Sequence, residues 1–419
     1  MAPAGSWEAL SAAIKAGADS IYFGVEQLNM RAKSSNNFTT DDLKKIAGLC
    51  KEKNVKSYIT LNTILYDHDL RLMREIVDAA KEAGITAIIA SDHAVLMYAK
   101  KKNMEIHIST QSNVTNIETV EFFASFADVM VLARELSLSQ VAEITREIKR
   151  QNICGPSGKP VQVEVFAHGA LCMAVSGKCY LSLHTHFSSA NRGACIQNCR
   201  RDYIVTDKET GYELEIDNEY IMSAKDLCTI DFLDKIIDAG VVVLKIEGRG
   251  RAADYVYTTT KCYREAVDAI YRGTYTKEKI AVWKEELATV YNRGFWDGYY
   301  LGRTMGEWSD SVDSKAAKRK VYIGKALNYF AKPKVAHFLM EAQSLEVGDE
   351  IIITGPTTGY INAAVTELRV NDQIVQHAKK GDEITIPIDE IVRPSDSLYK
   401  LITSKMTDTL KVPVISPSQ

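Results

Sequence analysis

Five cysteines, Cys172, Cys179, Cys195, Cys199 and Cys228, fall within 57 residues, where an even spread of the chain's 8 cysteines over 419 residues puts about one. In a chain read as cytoplasmic, such clustering argues for metal or redox chemistry rather than disulfides. Thiolates bind zinc and iron–sulfur clusters, four to a site. The spacings here (C-x6-C, fifteen residues, C-x3-C) match neither the CxxC…CxxC zinc pattern nor the ferredoxin run. The residues alone therefore leave metal ion, cluster and buried inert thiols open. His168, close to the first of these cysteines, is a candidate for proton transfer. His184 and His186, in the phrase HTH, read as a loop feature before they read as ligands. Further on, KIEGRGR (245–251) sets Lys245, Glu247 and Arg249 around two glycines, a pattern suited to holding phosphate or carboxylate. GPSGKP (155–160) lacks the spacing of a phosphate-binding loop and precedes a strand instead of following one.

These residues need a frame. Eight short apolar runs read as strands: Ser20–Phe23, Lys56–Leu61, Ile85–Ala90, Glu105–Ser109, Asp128–Leu132, Val161–Phe166, Tyr220–Ser223 and Val241–Ile246. Amphipathic helical stretches such as Thr40–Glu52 and Leu70–Glu82 separate them. AGAD, EAGI and DAGV each precede a strand, and glycine there suits the left-handed residue that closes a helix. Cys50 and Cys262 fall on buried helical faces, and Cys154 in a turn-rich loop. Strand–helix units averaging about 30 residues point to an α/β fold, a (β/α)8 TIM-type barrel. The barrel is expected over 1–275, with a Cys-rich insertion at 167–228. In such a barrel the cysteines and KIEGRGR follow strands, at the carboxyl-terminal mouth where catalytic groups sit. Asn62, Asp92, Gln111, Arg134, Glu135, Lys225 and Asp226 are the other polar residues at strand ends.

A helical and linker segment is expected over 276–319. From 320 to 419 the pattern changes to short alternating strands, with Gly-Asp pairs ahead of two of them, and reads as a small C-terminal all-β barrel. The linker SDSVDSKAAKRK ends in four basic residues over six positions, a solvated face or a contact for RNA phosphate. Lys+Arg is 51 and Asp+Glu is 54, a net charge of −3, so there is no whole-chain electrostatic case for nucleic acid. With 46% hydrophobic and 25% charged residues, the composition excludes a disordered or collagen-like chain. No run of 18 apolar residues suggests a membrane span, and no basic-then-apolar leader opens the chain. A cytoplasmic protein is expected.

The segment EVFAHGALCMAVSGKCYLS resembles the signature of the collagenase-like peptidase U32 family. That signature runs E-x-F, two residues, G-A-L-C, four residues, G-x-C-x-L-S. Glu164, Phe166, Gly169, Cys172, Gly177, Cys179 and Ser182 occupy its places. APAGS, GADSIYFG, SAKDLC, LKIEGR and YNRGF extend the resemblance along the chain, although the apolar lead-in before APAG is missing. Its full-length likeness is to the tRNA hydroxylation proteins of that family. That likeness implies prephenate-dependent conversion of the tRNA wobble uridine to 5-hydroxyuridine, without molecular oxygen, on a 4Fe-4S cluster. Relatives act on a ribosomal RNA cytidine or on ubiquinone precursors. Cys172, Cys179 and Cys195 match cluster ligands, with Cys228 as the fourth and Cys199 as its contender. Arg134, Lys245 and Arg249 are then the expected cations for prephenate, a dicarboxylate, and His168 or Glu247 the proton shuttle. tRNA is the expected partner, and the redox chemistry implies an electron donor of unknown identity. The family label also implies a peptidase. No Ser–His–Asp set, Cys–His set or H-E-x-x-H motif is recognisable to support it.

Overall fold

The computed structural model describes residues 1–33, 37–201, 203–216, 223–303, 306–309 and 314–404. Its first strands are short runs of Val, Ile, Ala and Tyr, most of them buried on both faces, as strands covered by crossover helices must be. β1 (Ala2–Pro3), β2 (Ser20–Gly24), β3 (Lys56–Leu61), β4 (Ala87–Ala90), β5 (Glu105–Ile108), β6 (Val129–Val131) and β7 (Gln162–Ala170) pair in that order, all parallel. Between them run α1 (Trp7–Lys15), α2 (Leu43–Glu52), α3 (Leu70–Ala83), α4 (His93–Lys101), α5 (Ile117–Ala124) and α6 (Leu138–Gln151). Local chemistry sets the helix ends. Ser6, Asp92, Asn116 and Ser137 cap amino termini, and left-handed Gly17, Gly84 and Gly240 close the three phrases singled out above. α3 turns Met73, Ile76, Val77 and Ala80 inward, the i, i+3, i+4, i+7 stripe of a helix lying on a sheet.

After the small helix α7 (Leu181–His186), the chain makes a separate hairpin of β8 (Tyr203–Thr206) and β9 (Glu213–Ile216). β10 (Asp226–Cys228) then returns antiparallel to β7, and β11 (Val243–Ile246), after α8 (Leu233–Asp238), runs parallel to it. β11 also reaches back to the chain's start. The Met1 amine donates to Leu244 O at 2.8 Å, and Ile246 N donates to Met1 O at 3.1 Å. The ladder that leaves β1 thus returns to the residue beside it.

Two expectations change here. Tyr220–Ser223, expected as the seventh strand, lies largely outside the described residues, and Ser223, which is described, is not in a strand. β1 is a strand that was not expected, because two residues are too few to show alternation. The segment expected as helical and linker holds that helix, α10 (Lys277–Thr289), after α9 (Ala253–Tyr271), and also β12 (Phe295–Trp296), which pairs with β10 in the large sheet.

The C-terminal region has its own apolar core, built on Ile323, Phe338, Ile353, Ile384 and Leu398. It begins with β13 (Lys318–Phe330), β14 (Val335–Met340), β15 (Leu345–Glu346), β16 (Glu350–Gly355) and β17 (Gly359–Ala364). It continues with β18 (Arg369–Val370), β19 (Gln373–Ile374), β20 (His377–Ala378), β21 (Glu383–Pro387) and β22 (Ser397–Thr403). Eight of these form one antiparallel sheet in the order β17-β16-β22-β13-β14-β21-β18-β19. The region is docked on α1 and α9. Tyr257 stacks on Tyr360 at 4.6 Å, Ser11 Oγ donates to Pro356 O at 2.6 Å, and Lys320 pairs with Asp254 at 2.8 Å. Lys318 pairs with Glu350. Of the basic linker run, Lys320 therefore serves the docking, while Lys318 pairs within the C-terminal region itself. No helix of the described residues is long and apolar enough to cross a membrane.

Candidate functional site

The carboxyl ends of β3, β5, β6, β7 and β11 converge on one cavity of ≈ 140 Å³. Thr60 and Asn62 come from the end of β3, Ser109–Gln111 from β5, and Arg134 from beyond β6. Phe166 and Ala170–Cys172 come from β7, and Lys245, Glu247 and Arg249 from β11 and its loop. The opposite wall is the Cys-rich insertion. At the join, Gly169 takes φ +104°, and a Cβ there would stand 2.5 Å from the Glu247 carbonyl oxygen. The signature's glycine is thus the residue that lets β7 and the KIEGRGR loop touch.

Cys172, Cys179, Cys195 and Cys199 all line the cavity, and all four thiols are free. The insertion is tied down to place them. The buried Ser182 Oγ accepts from Ile196 N at 3.2 Å and donates to Asn198 Oδ1 at 3.2 Å, gripping the turn that carries Cys195. Arg192 pairs with Asp69 at 2.5 Å and donates to Ile64 O at 2.6 Å, holding that turn to the sheet. Arg200 donates to Leu171 O at 2.8 Å, beside Cys172. Burial pushes the Cys199 thiol up to about 11, with Arg200 opposing and the other three thiols of the cavity adding to the rise.

Cys228, expected as the fourth thiolate, does not join them. It sits opposite His168 in the β10–β7 ladder, fully buried, with the Tyr263 hydroxyl 3.9 Å from its sulfur. His168 does not line the cavity either. Strand alternation would put it on the same face as Glu164 and Phe166, but the β7–β11 register slips at Ala167 and turns it to the other face. There it packs against Tyr255, Tyr263 and Phe295, and burial holds it down to about 3, a neutral ring. The expectation of a proton shuttle at His168 is corrected accordingly.

The charged residues of the loop do reach the cavity. Five cations line it (Arg31, Arg134, Arg200, Lys245 and Arg249) against one carboxylate, Glu247. Arg31 pairs with Glu247 at 2.8 Å. Burial alone would raise Glu247, but the charges of Arg31, Arg134 and Arg249 outweigh it and hold its carboxyl at about 2. Lys245 pairs with the fully buried Glu164 at 2.8 Å. Arg134 and Arg249 have no carboxylate of their own among these contacts. Arg134 donates to Ala170 O at 3.1 Å; Arg249 donates to Asn29 Oδ1 at 3.0 Å and Thr60 Oγ1 at 2.7 Å; the Nε of each is buried without a partner. Unpaired buried guanidinium donors are costly unless an anion meets them.

Arg31 and Arg200 were missed in the sequence. Nothing in the loop after β2 marks Arg31, whereas Arg200 stands next to Cys199 and could have been singled out as a cation beside a thiolate. Of the other strand-end residues, Asn62 and Gln111 meet at 3.2 Å in the cavity wall. Asp92 instead caps α4, Lys225 pairs with Glu307, and Asp226 lies 3.6 Å from Arg293.

Below the cavity a line of charge crosses the sheet interior. Glu164 Oε2 lies 3.8 Å from His107 Nδ1, and His107 Nε2 lies 3.2 Å from Glu105. Burial would lower His107, but its hydrogen bonds and charge interactions with Glu105 and Glu164 prevail and raise it above the ordinary histidine value. A folded-state pKa above the unfolded one gives stability that is full below the unfolded pKa and lost as pH rises through the folded pKa. The thermal midpoint is therefore expected to fall as pH rises above the ordinary histidine value of about 6.5. His107→Gln should flatten that slope, which a melting series across pH 6–9 checks.

Among the described residues, no three Cys, His, Asp or Glu side chains converge closely enough for a single metal ion. Thiols such as the four lining this cavity are the donor type that iron–sulfur clusters take.

Residues 5–310 match the model of peptidase family U32. A protein named collagenase from Porphyromonas gingivalis (strain ATCC BAA-308 / W83) is 60% identical over 400 residues, covering 96% of this chain and 97% of that one. tRNA hydroxylation protein P1 of Bacillus subtilis (strain 168) is 31% identical, covering 85% of this chain and 83% of its own length. The 23S rRNA 5-hydroxycytidine C2501 synthase of Escherichia coli (strain K12) is 34% identical over 62% of this chain and 37% of its own length.

Proposed function

The chain belongs to peptidase family U32, and from that premise we propose that it is an iron–sulfur RNA-modifying enzyme. The reaction is the prephenate-dependent hydroxylation of the tRNA wobble uridine to 5-hydroxyuridine, carried out on a (β/α)8-type barrel. The observation that carries this reading is the joining of four free thiols with a surplus of cations in one cavity at the carboxyl ends of parallel strands. Cys172, Cys179, Cys195 and Cys199 would hold a 4Fe-4S cluster, with Cys199 taking the place first expected of Cys228. When bound, such a cluster supplies one-electron transfer and a Lewis-acidic iron.

The chain's own residues do the rest. Arg134 and Arg249 offer their unpaired Nε–H donors to the two carboxylates of prephenate. Arg31 holds Glu247 ionised at the cavity wall, an acceptor able to take a proton there when substrate displaces the arginine. Asn62, Gln111 and Ser109 present neutral donors and acceptors suited to the edge of a base. The relatives named for RNA hydroxylation support this class of substrate, and the ribosomal enzyme among them makes a cytidine the alternative target.

The 60% identical relative's name favours a second reading, a peptidase. It requires an activated nucleophile. Yet no histidine lines the cavity among the described residues to activate one. The two readings separate in nucleoside mass spectrometry of RNA from cells lacking the gene. Hydroxylation predicts that 5-hydroxyuridine disappears from tRNA and returns with the intact gene but not with Cys172→Ser. Unchanged nucleosides in both tRNA and ribosomal RNA would reject the reading.

A further inference from the structure

No Asp or Glu occurs between Glu164 and Asp202, a stretch of 37 residues in which the chain's 54 acidic residues, evenly spread over 419, would place about five. The same stretch carries Lys178, Arg192, Arg200 and Arg201. It is also where the structure leaves large apolar side chains in solvent. Tyr180 is 75% exposed, Leu183 36% and Phe187 93%. Leu183 lies on α7, and Tyr180 and Phe187 flank the helix at its two ends. Phe187 closes α7 in the left-handed conformation (φ 52°, ψ 31°), which glycine or asparagine adopts readily and phenylalanine does not. The ring itself, nearly bare in solvent, serves no core packing. The inner side of the same segment is the cavity wall, through Cys179, Leu181 and Ser182.

We propose that the outer face of α7 is a stacking platform for unpaired bases of a single-stranded RNA loop, which presents its target base to the cavity beside it. This rests on the RNA-modifying reading and adds the surface that holds the loop around the target base. Aromatic rings accept the faces of bases, and Lys178 and Arg201, on a segment with no acid of its own, accept the phosphates between them. A protein partner seated on an apolar face gives no reason for the missing acids, whereas a polyanion does. The two rings thus hold the nucleotides that flank the target, Lys178 and Arg201 face the backbone, and duplex RNA finds no partner for either ring.

The test is binding of a fluorescently labelled anticodon stem–loop RNA, by anisotropy, to the intact anaerobically prepared protein and to Tyr180→Ala, Phe187→Ala and Phe187→Trp. Both alanine variants change exposed side chains, so iron content and melting temperature should match wild type, which confirms that each is intact. Each alanine variant is expected to bind at least about 5-fold more weakly, the lower end of what one base–aromatic stack contributes. Phe187→Trp should keep the affinity, and a blunt RNA duplex should bind all four proteins equally weakly. Wild-type binding with no loss in either alanine variant would overturn the platform and leave the RNA reading standing. Absence of stem–loop binding by the wild-type protein would instead remove the reading on which the platform rests.

Discussion

Replacing any one of Cys172, Cys179, Cys195 or Cys199 by serine is expected to remove most bound iron and to lower RNA hydroxylation by about 100-fold or more, a loss at least as large as that from disturbing residues that only orient ligands. The four thiols share a cavity whose walls are otherwise cationic and amide-bearing, and a serine hydroxyl does not ionise to replace a thiolate. Cys228→Ser gives the contrasting result. Its sulfur lies on the other face of the sheet, against Tyr263, where a hydroxyl costs about 1–3 kcal/mol if left without a partner. That variant should melt earlier yet retain its iron. Iron content and melting temperature, measured on the same five preparations, separate the two effects. Iron loss in Cys228→Ser with retention in Cys199→Ser would reverse the assignment of the fourth ligand.

The second large effect is on stability. Lys245→Met should cost about 3–5 kcal/mol, because it strands the carboxylate of Glu164, which is fully buried, without its cation. Burial opposes ionisation of Glu164, and the charges of Lys245 and His107 overcome it, holding the group at about 2. Removing the lysine reverses that balance. Denaturant melts should show the loss at neutral pH, and adding Glu164→Gln to Lys245→Met should recover a large part of it, since no charge is then left unpaired. A Lys245→Met protein as stable as wild type would mean that the ammonium serves only a ligand. The ion pair also divides the labour among the cations: Lys245 is committed to the fold, whereas Arg134 and Arg249 keep donors available to an anion.

What the sequence made legible follows from how local each signal is. Phrases that close helices, strand runs with both faces apolar and the phrase KIEGRGR are encoded within a few residues. Lys245, Glu247 and Arg249 accordingly arrived at the cavity together. The cysteine cluster was visible as a count. Which four thiols meet was not, since Cys199 sits on the insertion that walls the cavity while Cys228 is held in the β10 ladder, and that depends on β10 pairing with β7 in antiparallel. His168 lies off the cavity for a related reason: one extra residue at Ala167 shifts the register just before it, and no pattern marks the slip. β1 escaped notice because two residues carry no period. Arg31 was invisible because a cation in an irregular loop has no periodicity, only a partner 216 residues away in Glu247. The collagenase-named relative covers nearly the whole chain, yet identity of fold does not carry chemistry with it. What bears on the chemistry is the cavity: four thiols, two guanidinium groups with donors to spare, one ionised carboxylate and no histidine among the described residues that line it.

The claim on which all of this turns is that the four thiols hold one iron–sulfur cluster, and assay of iron and acid-labile sulfide in protein purified without oxygen, read with its visible spectrum, tests it most directly. About four irons and four sulfides per chain are expected, with a broad absorption near 400 nm, as a 4Fe-4S site with thiolate ligands gives. Protein that carries zinc, or no metal even after anaerobic reconstitution with iron and sulfide, would contradict it and return the peptidase reading to the front.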